Sequence, residues 1–136
     1  MISCILISHG PLAGAMIKSV ETVIGNKNRM YAVELEVGES ADNFVRKLES
    51  VLRLFLQFGE VIVVSDFLLG TPFNAAVQLS EHYRFEHVTG MSAPILLAIL
   101  KECDEKIGAQ ELCTRALNEA VNQTMDVNRF IKEMID

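Results

Sequence analysis

The chain has 136 residues, 50% hydrophobic and 22% charged, a composition that suits one globular domain with a sizeable core and gives no sign of disorder. Its net charge of −6 comes without the clustered Lys and Arg that a nucleic-acid binder needs, so nucleic acid is not an expected partner. The cysteines Cys4, Cys103 and Cys113 are odd in number and widely spaced, with no C-x-x-C pair; this argues against a zinc or redox site and for reduced packing thiols in a cytosolic protein.

Residues 2–8 form a short apolar run that ends at His9-Gly10-Pro11, far short of the roughly 20 residues of a membrane helix, and they lack the basic lead and cleavage site of a secretory signal. Such a run reads as a strand covered on both faces. Residues 12–24 place Leu12, Ala15, Met16, Val20, Val23 and Ile24 at helical spacing, and Gly25 stops the helix. Residues 30–37 alternate, with Tyr31, Val33 and Leu35 opposed to Ala32, Glu34 and Glu36, which suggests a strand nearer an edge. Ser40 is a candidate N-cap for a helix that carries Phe44, Leu48, Val51, Leu52 and Phe55 on one face and ends at Gly59.

A second β-branched run, residues 61–64, ends in Ser65-Asp66 much as the first strand ends in Ser8-His9. Thr71-Pro72 reads as an N-cap followed by proline at the first helical position, with helix continuing over residues 73–83. A shorter strand over 85–89, a turn over 90–94 leading into an apolar helix through Leu100, and an amphipathic helix over 109–122 follow. Residues 125–136 fit either a helix or an added antiparallel edge strand. With no repeat, low-complexity tract or linker, the chain reads as a single domain over 1–136. Its alternating strands and helices predict a doubly wound α/β fold, a mainly parallel sheet of order 2-1-3-4 with helices on both faces.

Ligands of such sheets bind beyond the carboxyl ends of the strands where the order reverses, which selects His9 and Asp66. A carboxylate against one imidazole nitrogen fixes the tautomer and makes the other nitrogen the better nucleophile. The plainer reading is that His9 caps local carbonyls and Asp66 caps the following helix. Helix N-termini after Gly10 and at Thr71 would suit an anion, with Gly10 and Gly70 allowing close backbone approach and the Thr71 hydroxyl donating to a phosphate oxygen. Gly and Thr-Pro would also simply make turns and start a helix. The apolar loop residues Phe67, Leu68 and Leu69 read either as core or as an exposed docking surface. His82 and His87 make no obvious metal-binding set with His9, and no metal is assigned.

Ser8-His9-Gly10, Gly14, and the stretch Asp66-Phe67-Leu68-Leu69-Gly70-Thr71-Pro72-Phe73-Asn74 resemble the mannose-family IIA domain of the phosphoenolpyruvate-dependent sugar phosphotransferase system over essentially the whole chain. The second motif is the more specific. The resemblance implies a cytoplasmic phosphotransferase component without a cofactor, in which His9 takes a phosphoryl group from the histidine phosphocarrier HPr and passes it to a histidine of a IIB partner. Sugar is then phosphorylated as it crosses the membrane through IIC and IID proteins, which leaves the carrier either free or peripheral to the inner face. The family also implies that Asp66 orients His9, that the start of the third helix helps to hold phosphate, and that the protein is a homodimer in which the C-terminal segment lends a strand to its neighbour. Leu69 stands where members commonly have a first of two glycines, and the chain carries no linker or IIB domain after residue 136, which suggests a separate IIB polypeptide.

Other chemistries fit less well. A histidine-type phosphatase needs an arginine just before its histidine, and position 8 is serine. A receiver domain needs a carboxylate pair after the first strand to hold magnesium, where Ser8-His9 stand. The phosphotransfer subunit of dihydroxyacetone kinase shares the first motif but tends to read Met-Gly-Ser-Ala after the third strand. A non-catalytic module that binds a small ligand against His9 would show no transfer at all.

Overall fold

The computed structural model describes residues 1–26, 28–103 and 106–135. Four strands, β1 (Ile2–His9), β2 (Met30–Leu35), β3 (Glu60–Ser65) and β4 (Glu86–Thr89), pair in parallel in the order β2-β1-β3-β4. The helices are α1 (Leu12–Ile24), α2 (Ala41–Leu56), α3 (Thr71–Leu79), α4 (Ala93–Glu102), α5 (Ala109–Ala120) and α6 (Val127–Ile135). Among the described residues no helix is long and apolar enough to cross a membrane.

The apolar runs of β1 and β3 follow from burial on both faces. Successive side chains point to opposite sides, so Cys4, Leu6, Ile62 and Val64 join the core under α1, α4 and α5. Ile5, Ile7, Val61 and Val63 join a second core with Phe44, Leu48 and Leu52 of α2 and Ala75, Ala76 and Leu79 of α3. The edge strand β2 buries only Val33, in keeping with its mixed sequence, and it stops at Leu35 rather than 37. There the chain bends, with the Glu39 N–H donating to the Glu36 carbonyl and Gly38 at φ 80°. Ser40 caps α2 as expected, its hydroxyl accepting the Asn43 N–H at 3.1 Å.

Other differences from expectation lie at α3, which ends at Leu79 rather than 83, at α4, which starts at Ala93 inside the expected 90–94 turn, and in the C-terminal segment. Gly70, not Thr71, is the N-cap of α3, because the entry conformation of φ 90°, ψ 171° is open only to glycine; Thr71 and Pro72 then become the first two helical residues. The C-terminal segment is helix rather than an added strand. Asp126 starts it by accepting the Arg129 N–H, and Val127, Phe130, Ile131, Met134 and Ile135 recur at helical spacing, although none of the residues of α6 is buried. All three cysteines are buried, and burial first, with a nearby negative charge adding for Cys113, pushes the Cys4 and Cys113 thiols up to about 12. They are packing residues, inert as nucleophiles.

Candidate active site

His9 is the last residue of β1, and Asp66 follows the last residue of the neighbouring β3, so the strand order brings them together. Asp66 Oδ2 lies 2.8 Å from His9 Nδ1 and also accepts the His9 backbone N–H at 2.8 Å. Its Oδ1 accepts the Phe67 N–H at 3.0 Å. The residue is itself pinned from both sides: its N–H donates to the Ile7 carbonyl and its own carbonyl accepts from Met91. The Asp66 side chain is 2% exposed while that of His9 is 39% exposed, so a buried carboxylate carries an imidazole whose far edge meets solvent. An ionised carboxylate only accepts, so this contact favours the tautomer of a neutral imidazole with its proton on Nδ1 and its lone pair on Nε2.

Nε2 sits at the entrance of α3. A methyl placed on Gly70 would lie 3.0 Å from His9 Cε1 and 3.2 Å from Nε2, so the backbone there comes close to the ring edge. The N–H groups of Gly70, Thr71 and Phe73 belong to the first turn of α3, which has no side-chain cap and whose N-terminal donors have no partner within the helix. The entrance to α1 is different. There Ser8 Oγ accepts the Ala13 N–H and donates to the Gly10 carbonyl, both at 2.9 Å, and Glu34 Oε2 accepts the Gly14 N–H at 3.0 Å. The Gly10 N–H is given to the Leu35 carbonyl, which leaves Gly10 (φ 60°) the task of turning the chain and gives it no donor for an anion. At the α1 entrance the Ala13 and Gly14 N–H groups are thus spent, whereas among the described residues no side chain caps the entrance of α3.

Phe67, Leu68 and Leu69 are 53%, 65% and 61% exposed, which removes the reading of this loop as core. The Phe67 ring stacks on the His9 imidazole with centroids 4.6 Å apart and planes 2° from parallel, a contact that sequence periodicity has no means of revealing. Leu69 adopts φ 67°, a left-handed conformation that a glycine would accept without strain. Leu69→Gly is therefore expected to raise stability by about 0.5–1 kcal/mol, relief of roughly 1–2 kcal/mol less the roughly 0.5–1 kcal/mol entropy cost of glycine. An unchanged or lower urea midpoint would contradict this.

Behind the site, Ser65 Oγ lies 2.9 Å from His87 Nε2 and donates to Thr89 Oγ1 at 2.8 Å, while the His87 ring tilts against Phe73. Burial lowers the His87 pKa below its ordinary 6.5. The unfolded chain then binds more protons than the folded one as pH drops past 6.5, so the stability contributed by His87 is full above that pH and declines toward the lower folded-state value. Urea midpoints of the native chain should accordingly fall more steeply than those of His87→Gln between about pH 7 and about pH 5. Parallel slopes would rule the linkage out.

The family model described as "PTS system fructose IIA component", of the mannose-type EIIA group, matches residues 3–117. The chain belongs to this family. Among curated members, this IIA chain is 33% identical over 101 residues to the fructose-specific EIIA component of Bacillus subtilis, spanning 74% of this chain and 69% of that protein. It is 34% identical over 114 residues to the sorbose-specific EIIA component of Klebsiella pneumoniae, 83% of this chain and 82% of the relative. A solved PTS IIA protein associated with the fucose utilization operon of Streptococcus pneumoniae superposes with a TM-score of 0.84 at 25% identity, covering 96% of each chain. Membership in this IIA family implies a role in phosphotransfer and agrees with the α/β fold and strand order.

Proposed function

We propose that His9 is the phosphoacceptor of this IIA protein, receiving a phosphoryl group on Nε2 from phospho-HPr and passing it to a histidine of a IIB partner. The contact that carries the reading is the 2.8 Å approach of Asp66 Oδ2 to Nδ1, since it leaves Nε2 as the nucleophile at the mouth of α3. In the forward step the Nε2 lone pair forms the new N–P bond as the bond between phosphorus and the donor's imidazole nitrogen breaks. No water enters and no proton need leave Nδ1. The positive charge that develops on the His9 ring is offset by Asp66, and the phosphoryl oxygens meet the N–H groups of Gly70, Thr71 and Phe73, with the Thr71 hydroxyl as a further donor. Passing the group onward is the same step in reverse, with a IIB histidine as nucleophile.

Such a relay works by alignment and preset donors, with neither a separate acid nor a metal called for. A cytoplasmic location follows from the relay, because its donor and acceptor meet there, with the inner membrane face reached through IIB, IIC and IID. The exposed apolar stripe of α6 supports association into a homodimer.

The test is incubation with phosphoenolpyruvate, enzyme I and HPr, followed by intact mass, acid lability and fragment mapping. One added phosphate, lost in acid and located on His9, is expected. No transfer from demonstrably phosphorylated HPr would defeat the reading and favour a ligand-binding module.

A further inference from the structure

Phosphoryl transfer to an imidazole asks for more than a free nitrogen. The Nε2 lone pair lies in the ring plane, so the plane must contain the line of attack, and a hydrogen bond at Nδ1 alone leaves the ring able to swing about that anchor. In this chain a second restraint is present. Phe67 lies flat on one face of the His9 ring, 2° from parallel at 4.6 Å, and so opposes tilting. The Gly70 backbone borders the Cε1–Nε2 edge, and the same Gly70 methyl position would lie 3.8 Å from Phe67 Cε2, so both rings meet at the entrance of α3. The Phe67 backbone is tied to the very carboxylate that holds His9, through its N–H to Asp66 Oδ1 at 3.0 Å. One carboxylate therefore sets both the imidazole and the ring that covers it. Phe67 belongs to neither hydrophobic core and is half exposed, so packing of the fold does not account for its placement.

We propose that Phe67 is a positioning residue for phosphotransfer: its ring fixes the plane of His9 so that Nε2 points at the first turn of α3. This rests on His9 being the phosphoacceptor. The stack supplies the out-of-plane restraint and Asp66 the in-plane one, and together they leave a single direction for the lone pair. A partner-docking role for Phe67 would act on donor affinity. A positioning role acts on the rate at saturating donor.

The test uses the full chain and the Phe67→Ala, Phe67→Leu and Phe67→Tyr variants. Two readouts are taken: single-turnover phosphorylation by phospho-HPr across a range of donor concentrations, and imidazole proton and nitrogen resonances of His9 without any partner. The expected result is a saturated rate at least roughly tenfold lower in the alanine variant, still low in the leucine variant and largely restored by tyrosine, since small misalignments at a reacting atom are costly. In the resonances, alanine and leucine should remove the upfield ring-current shift of the His9 carbon-bound protons, and tyrosine should keep it. An alanine variant with an unchanged saturated rate and only a weaker dependence on donor concentration overturns the proposal. Should the native chain take no phosphoryl group at all, the phosphoacceptor reading fails, and positioning for transfer falls with it; the resonances then still report whether the ring is held.

Discussion

If His9 is the phosphoacceptor, replacing Asp66 with asparagine is expected to slow its phosphorylation by up to about 10⁴-fold in a chain that still folds, the loss seen where an orienting carboxylate is replaced and a histidine is left in the wrong tautomer. Three N–H groups converge on the two oxygens of Asp66: the His9 backbone and Nδ1 on one, the Phe67 backbone on the other. Asparagine has one oxygen and one NH2. If the oxygen faces His9, the NH2 confronts the Phe67 N–H; if it faces Phe67, the NH2 donates to Nδ1 and moves the proton to Nε2, which removes the nucleophilic lone pair. Either choice leaves a partly buried donor without its acceptor, at about 1 kcal/mol. Single-turnover phosphorylation and urea unfolding of Asp66→Asn measure the two effects, and a transfer rate within a few-fold of native would show that the carboxylate does not set the tautomer.

Gly70→Ala is expected to combine a stability loss of about 1–3 kcal/mol with a marked fall in transfer rate. The first arises because φ 90°, ψ 171° is essentially closed to residues with a Cβ. The second arises because the new methyl would stand 3.0 Å from His9 Cε1 and 3.2 Å from Nε2. That neighbour is a ring held by Asp66 and Phe67, so it cannot yield as the end of a long side chain would. On the reading proposed above, the methyl would crowd the Nε2 edge on which the phosphoryl group is to be received. Thermal unfolding together with donor titration decides the matter; a variant as stable and as fast as native would mean that the entrance of α3 rearranges freely.

The sheet was legible because burial on two faces leaves a distinctive trace: residues 2–8 and 61–64 are apolar with no alternation, whereas 30–37 alternates and proved to be the edge. Once the order 2-1-3-4 is inferred, the meeting of His9 and Asp66 follows from chain geometry alone. What stayed hidden depends on loop conformation and register. The stack of Phe67 on His9 goes with a loop path in which Leu69 takes a left-handed conformation, against its own preference, and no propensity argument arrives there. Glu34 reaches the start of α1 because β2 pairs with β1 so that Glu34 lies opposite Ser8, a register the alternation does not specify. The segment after residue 124 was ambiguous because Val127, Phe130, Ile131 and Ile135 suit a strand as well as a helix; Asp126 at its start decides the outcome.

The turn from β1 into α1 is built around Ser8. Its side chain is fully buried, and its hydroxyl is committed in both directions, to the Gly10 carbonyl and from the Ala13 N–H. An arginine at this position, which a histidine-type phosphatase requires for its phosphate clamp, would have to place a guanidinium where a hydroxyl now fits, at a cost of several kcal/mol for an unpaired buried charge. A single substitution at position 8 therefore cannot install an arginine clamp here; the β1–α1 turn that Ser8 holds would have to change with it.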